Sequence, residues 1–398
     1  MTDPDFIRQT LKDLQAQGLR RRLLEVGSAA GPRVHVGGRT VLTFASNDYL
    51  GLANDPRVRE AARHGIARWG WGAGASRLLA GHTEAHAALE AALADFKHAA
   101  AAIVFPTGYM TNLGLVSALV GRGDLVLSDR ENHASLYDAI RLSGAGLVRY
   151  PHGSAAAARD LLAKHRDAPG RRLLVTDTVF SMTGDLAPLA ELAETCRDFG
   201  CMLVLDEAHA TGVLGPTGAG LAEALGIREG ITAGVGTLSK ALGGIGGFAA
   251  ASRDVCDLLV NRARSFIYTT ALPAAACEAA REALRIARAE PDRRERLLAM
   301  AKSAREALQA KGFDMGGSAS QIIPIIVGTP ERALAMAAAL MDKGIFCPAI
   351  RPPTVPPRTS RLRISLTCEH TEDDIARLVE ALIEARDQAK HAPSKLGG

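Results

Sequence analysis

Lys240 is the only charged residue between Ile231 and Ala250, in the run ITAGVGTLSKALGGIGGFAA. An ammonium in so apolar a stretch loses hydration, which favours the neutral, nucleophilic amine. Lys240 is therefore a candidate to form a Schiff base with a carbonyl compound. The alternative is a surface lysine opening a glycine-rich turn. Asp206 stands 34 residues earlier, at the end of the apolar run in LVLDEAHATG, with His209 three residues on. A buried carboxylate there either pairs with a cation, such as a pyridinium nitrogen, or caps the following helix. His209 can donate to a nearby oxygen. The letters DEAH also occur in the magnesium-binding box of helicases, but that reading requires a GxxxxGK[ST] phosphate loop, and the sequence contains none. In FPTGYMTN (105–112), Gly108 and the amides beside it sit where a helix N-terminus receives a phosphate, with Tyr109 adjacent; an ordinary strand-to-helix turn reads the same way. Thr237 adds a hydroxyl three residues before Lys240, and His133 in SDRENHAS is placed either to stack on a flat ring or to serve the fold.

These residues need a scaffold that gathers them, and the apolar pattern predicts one. Short β-branched runs fall at Ala102–Phe105, Leu125–Ser128, Gly146–Tyr150, Leu173–Thr176, Met202–Leu205, Thr232–Gly236 and Phe248–Ala251. Segments with helical periodicity separate most of them, which predicts βαβ units and an α/β fold on a mainly parallel sheet. Chemistry in such sheets gathers at the carboxyl ends of strands. Asp206 and Lys240 then fall at adjacent strand ends, one βα unit apart. A carboxylate opposed to a Schiff-base lysine across a flat ring is the arrangement expected for pyridoxal phosphate.

The bulk properties narrow the alternatives. The chain of 398 residues has 47% hydrophobic and 23% charged residues, enough for a sizeable core in one or two domains. Its net charge of +4 is dispersed, Arg20-Arg21-Arg22 is the densest basic cluster, and aromatics are 4%, so nucleic acid is not expected as a partner. The six cysteines show no CxxC pair, which predicts reduced thiols, no metal and a cytoplasmic location. The charged N-terminus is no signal peptide. The uncharged stretch 99–121 carries Pro106, Gly108 and Asn112 in its middle and reads as strand, loop and helix rather than a membrane span. We expect an N-terminal helix and arm over 1–45, a large domain over 46–284, a smaller C-terminal α/β domain over 285–390 and a flexible tail over 391–398.

Taken together, SNDYLGL (46–52), GYMTN (108–112), NHAS (132–135), TDTVFSMTGDLAPL (176–189), DEAHATG (206–212) and GTLSKALGG (236–244) resemble the α-oxoamine synthases. These are fold-type I pyridoxal-phosphate transferases, with a seven-stranded sheet between helices and a smaller domain. They join an amino acid to an acyl thioester and release carbon dioxide. The resemblance implies that Lys240 holds the cofactor and then acts as base, that Asp206 keeps the pyridine nitrogen protonated, and that His133 stacks on the ring. It places Ser181 and His209 at the phenolic oxygen, and Gly108, Tyr109 and Thr237 around the phosphate. Asn47 and Arg363 match positions that hold the amino-acid carboxylate, while Arg20 and Thr354 match acyl-substrate contacts. In SFIYTTALP (265–273), Thr269 or Thr270 would reach the phosphate of a partner subunit in a homodimer with shared active sites.

The stretch AIRPPTVPPRTSRLRISL (349–366) resembles the biotin-pathway branch, whose substrates are L-alanine and a pimeloyl thioester of coenzyme A or of a carrier protein. A sister synthase using glycine or serine, of the glycine C-acetyltransferase or aminolevulinate type, is the second reading. An aminotransferase or a catalytically silent cofactor-binding protein follows further behind. Two positions depart from the family pattern: Asp177, where a glutamate is frequent, and Thr183, where an aspartate is common.

Overall fold

The computed structural model describes residues 3–391, so the expected tail lies, from residue 392 on, outside the described residues. The chain divides into two compact units. The larger takes residues 47–181 and 185–298; the smaller takes the first 46 residues, Met182–Gly184 and the chain from Ala299.

The larger unit is built on a seven-stranded sheet. Its strands are β1 (Ala101–Phe105), β2 (Leu125–Asp129), β3 (Gly146–Tyr150), β4 (Arg172–Asp177), β5 (Met202–Asp206), β6 (Ala233–Thr237) and β7 (Gly247–Ala251). They lie in the order β1-β7-β6-β5-β4-β2-β3, and only β7 pairs antiparallel with its neighbours. Residues of β6 and β7 are buried throughout, while the edge strand β3 keeps most of its residues partly or fully exposed. Burial on both faces is why the inner strands read as unbroken apolar runs. The core under one face joins Ile103, Leu115, Val126, Leu173, Val204 and Phe266. Each such side chain contributes roughly 1.5–3 kcal/mol on full burial.

Helix starts follow local chemistry. Asp55 accepts the Arg57 amide and Pro56 opens the helix Pro56–Trp69. Helical spacing in the sequence predicts an apolar stripe of Val58, Ala62, Ile66 and Trp69 for that helix, but Ile66 is 42% exposed. Gly65 takes its place: a Cβ there would lie 2.7 Å from the Ala275 Cα, so the bare glycine lets the helix Ala274–Ala289 approach.

The smaller unit has two three-stranded sheets. Arg33–Val36 and Arg39–Thr43 form a hairpin, in a region whose sequence suggested only an extended arm, and Ile345–Phe346 adds in parallel. Gly37 and Gly38 have φ of 56° and 77°, the left-handed conformation that a two-residue hairpin turn demands. The second sheet orders Ile322–Gly328, Ser360–Ser365 and Ala349–Ile350. The closing helix from Glu372 has a capping box, with Thr371 Oγ1 accepting from the Asp374 amide at 3.1 Å and Asp374 Oδ2 from the Thr371 amide at 3.0 Å. No helix among the described residues is long and apolar enough to cross a membrane.

Candidate active site

The parallel strands all end on one side, and the turns after them enclose a cavity of about 210 Å³ whose walls belong to the larger unit. Gly108 and Tyr109 follow β1, His133 follows β2 and Ser181 follows β4. Asp206 and His209 come from the end of β5, and Thr237 and Lys240 from the end of β6. Residues up to 132 positions apart in sequence, Gly108 to Lys240, are therefore gathered by topology alone.

Lys240 Nζ lies 2.8 Å from His209 Nε2. On its other side His209 Nδ1 lies 2.6 Å from the Tyr49 hydroxyl, which donates to Asn47 Oδ1 at 3.1 Å. An amide oxygen can only accept, so this set of bonds is consistent when Lys240 donates to Nε2 and Nδ1–H donates to Tyr49. Asn47 thus stands at the far end of a relay that begins at Lys240.

Asp206 is 6% exposed and receives two neutral donors, Asn112 Nδ2 at 2.7 Å and the Ala208 amide at 2.9 Å. Asn112 also donates to Ser135 Oγ at 2.8 Å. His133 caps the helix Ala134–Ser143: Nδ1 accepts from the Ser135 amide and lies 2.8 Å from Ser135 Oγ, which fixes the ring. The ring is open to the cavity but enclosed by protein, and this burial lowers its pKa below the ordinary histidine value; the charge of Asp206 opposes the shift and that of Lys240 adds to it.

Asp177 pairs with Asp206 in the register of β4 and β5. It is wholly enclosed, and burial, followed by the charge of Asp206, raises its pKa well above the carboxylate range. Its Oδ2 accepts the His133 amide at 3.1 Å, and its Oδ1 has no partner among the described residues. The shorter side chain at this position thus anchors the backbone of His133.

At the end of the cavity where the sequence leads one to expect a phosphate, Thr107 caps the helix Gly108–Leu119, whose first-turn amides have no partner within the helix. Gly247 of β7 packs against it so closely that a Cβ would sit 2.5 Å from the Gly108 backbone. Thr237 Oγ1 donates to Gly246 O at 2.9 Å, so in its 2.7 Å contact with Ser239 Oγ it accepts the Ser239 proton. The Tyr109 hydroxyl donates to Asp138, leaving the ring for the cavity.

Other expected residues lie elsewhere. Thr269 and Thr270 are not among the cavity walls; Thr270 bridges to Ser76. Arg20, Thr354 and Arg363 belong to the smaller unit, where Arg21 rather than Arg20 reaches Thr354 Oγ1, at 3.1 Å, and Arg363 donates to Ser365 Oγ at 2.6 Å. Tyr49, Asn112, Ser135 and Ser239 were not singled out from sequence, although all four sit inside the motifs quoted above. All six cysteines are buried, and neither a disulfide nor a metal-holding cluster occurs among the described residues.

The model of the aminotransferase class I and II family matches residues 39–382. A protein of Anaeromyxobacter dehalogenans strain 2CP-1 named 8-amino-7-oxononanoate synthase is 51% identical over 378 residues, covering 95% of this chain and 94% of that protein. Among solved structures, a serine palmitoyltransferase variant from S. paucimobilis with a bound PLP–myriocin aldimine superposes with a TM-score of 0.92 at 32% identity, over 97% of this chain and 98% of that one. The 8-amino-7-oxononanoate synthase of Francisella tularensis superposes with a TM-score of 0.76 at 29% identity, over 88% and 99%.

The chain belongs to the class I and II aminotransferase family, in the branch of its 8-amino-7-oxononanoate synthase relatives. It is accordingly a fold-type I acyltransferase whose cofactor is pyridoxal phosphate. The site fits that group: a buried carboxylate with only neutral donors suits a pyridinium, the amides at Gly108 suit a phosphate, and the orphaned oxygens of Asn112 and Asp177 await an occupant.

Proposed function

We propose that the protein condenses L-alanine with a pimeloyl thioester, on coenzyme A or a carrier protein, to give 8-amino-7-oxononanoate, carbon dioxide and free thiol in biotin biosynthesis. The observation that supports this most is joint. Lys240, His209, Asp206 and His133 line one cavity, in a chain 51% identical to a relative of that name.

Lys240 would hold the cofactor's carbonyl carbon covalently and, with its amine free, would be the base that takes the α-proton of alanine. Its contact with His209 gives that proton a neighbour to be shared with, along the relay to Tyr49. Asp206 holds a proton on the pyridine nitrogen, and Asn112 fixes the carboxylate that does so. Bound pyridoxal phosphate supplies an electron sink for the pair left at the α-carbon. His133 covers one ring face, with its amide tied to Asp177. Ser181 and His209 serve the phenolic oxygen, the amides at Gly108 and Tyr109 and the Thr237–Ser239 hydroxyls serve the phosphate, and Asn47 and Arg363 hold the alanine carboxylate. Arg20 and Thr354 contact the acyl substrate. The new carbon–carbon bond forms as the thiol leaves; the resulting β-keto acid then loses its carboxylate as carbon dioxide.

Positioned proton transfer accounts for roughly 10²–10⁴-fold, so most of the acceleration comes from the electron sink and its electrostatic setting.

The same reading makes the enzyme a cytoplasmic homodimer, with Thr269 or Thr270 reaching the partner's phosphate. What supports the dimer is that Trp71, Leu79 and Tyr268, close in sequence to the Ser76–Thr270 bridge, are 75%, 82% and 71% exposed.

Thiol release, with product mass, measured for alanine, glycine and serine against pimeloyl, succinyl and acetyl thioesters tests the assignment. Alanine with the pimeloyl thioester is expected to lead by about tenfold or more in kcat/KM. Faster turnover with glycine or serine, or with a short acyl group, would move the protein to a sister synthase.

A further inference from the structure

A histidine that the mechanism leaves unused ties two of the turns around the site to each other. His152 follows β3, and each of its ring nitrogens meets a carboxylate: Nδ1 lies 2.9 Å from Asp129 Oδ1, and Nε2 lies 2.8 Å from Asp185 Oδ2. A neutral imidazole has one N–H and one lone pair, and would set that lone pair against an anionic oxygen. Only the doubly protonated ring donates on both sides.

The two carboxylates belong to the two turns. Asp129 ends β2 and is 1% exposed; its Oδ1 also accepts the Glu131 amide at 2.8 Å and its Oδ2 the Gly153 amide at 2.8 Å. It therefore shapes the 129–133 turn that delivers His133. Asp185 closes the loop that carries Ser181: Phe180 N donates to Asp185 O at 3.1 Å, and Val179 bridges Leu186. The Phe180 ring meets His152 edge to face, with centroids 4.4 Å apart.

We propose that His152 is a positioning residue: as a cation clamped between Asp129 and Asp185, it sets the turn of His133 and the loop of Ser181 at a fixed separation, so that both walls receive the cofactor without rearrangement. Its link to catalysis rests on the cofactor site proposed above, whereas the clamp stands on the contacts themselves. The two carboxylates raise the His152 pKa from 6.5 to about 10 against the opposing effect of burial. A raised folded-state pKa stabilises fully below about 6.5 and loses that contribution as pH rises through about 10.

The test uses ¹⁵N-histidine spectra of the full-length wild-type holoenzyme, with His152 assigned through its contact with Phe180. The expected result is an imidazolium with both nitrogens protonated and no titration near the ordinary value of about 6.5. Titration of His152 near that ordinary value overturns the clamp. The positioning role is read from pyridoxal-phosphate affinity. His152→Gln, which can donate on one side only, is expected to weaken it about tenfold or more, the loss of one charge-assisted hydrogen bond. His152→Arg, which keeps a cation with several donors, is expected to recover most of that loss. Wild-type affinity in His152→Gln, or no recovery in His152→Arg, overturns the role. Failure of the substrate panel alone would leave both readouts standing.

Discussion

Asp206 and Glu207 are neighbours in the chain, and they face two different cavities. Asp206 meets, among the described residues, only neutral donors in the candidate-site cavity of about 210 Å³. Glu207 opens onto a second cavity of about 240 Å³, where Lys97 Nζ lies 2.5 Å from its Oε2 and the Ala222 amide donates to its Oε1 at 3.2 Å. Lys97 and Glu207 are 5% and 3% exposed at their side chains, and Lys97 also donates to Ala219 O. The second cavity is the larger and also holds a lysine and a carboxylate, so size and residue type do not tell the two apart. What differs is pairing. Glu207 has its cation built in, whereas Asp206 has its donors built in and its cation left to a ligand.

That contrast can be broken residue by residue. The largest effect is expected for Asp206→Asn, which keeps the shape and removes the charge. It should lower kcat roughly 10²–10³-fold with folding retained, the scale of one lost electrostatic contact to developing charge. Near-wild-type kcat in this variant would mean that the ring nitrogen has no anionic partner.

Glu207→Gln should do the reverse. It strands a buried ammonium and is expected to reduce stability by about 3–5 kcal/mol in denaturant unfolding, with KM for alanine unchanged. Replacing both members, Lys97→Met with Glu207→Leu, should recover most of that stability. A fall in kcat without loss of stability would assign the second cavity a chemical role.

The smallest effect is expected for Asp177→Asn. Burial and the neighbouring charge of Asp206 both favour the neutral carboxyl of Asp177, and an amide still accepts from the His133 backbone. The change in kcat should stay within about threefold, with the pH profile unmoved. A lost limb in that profile would show that Asp177 is ionised after all.

Much of this was legible in the sequence, for reasons the fold makes plain. Strands β4 to β7 are buried on both faces, so each had to be a continuous apolar run, and the chemistry had to fall just past their ends. Lys240, Asp206, His133 and His209 stood out because charged or titratable types in such places are unusual. Asn112, Ser135 and Ser239 did not, because neutral polar residues at turns are common and their importance lies in which partner they meet. The environment of Asp177 comes from the register of β4 on β5, which no local pattern encodes. The His152 clamp joins residues 23 and 33 positions away, and it too is a product of topology. Two features were readable and missed. Gly37-Gly38 between alternating residues signals a hairpin, and Gly65, rather than Ile66, marks the close face of its helix.

Lys240, and not the enclosed Lys97, is expected to carry the cofactor. Borohydride reduction of the holoenzyme, followed by proteolysis and mass mapping of the pyridoxyl-modified peptide, tests it most directly. The modification is expected on Lys240 alone. Modification at Lys97 or at any other lysine, with Lys240 unlabelled, would contradict it.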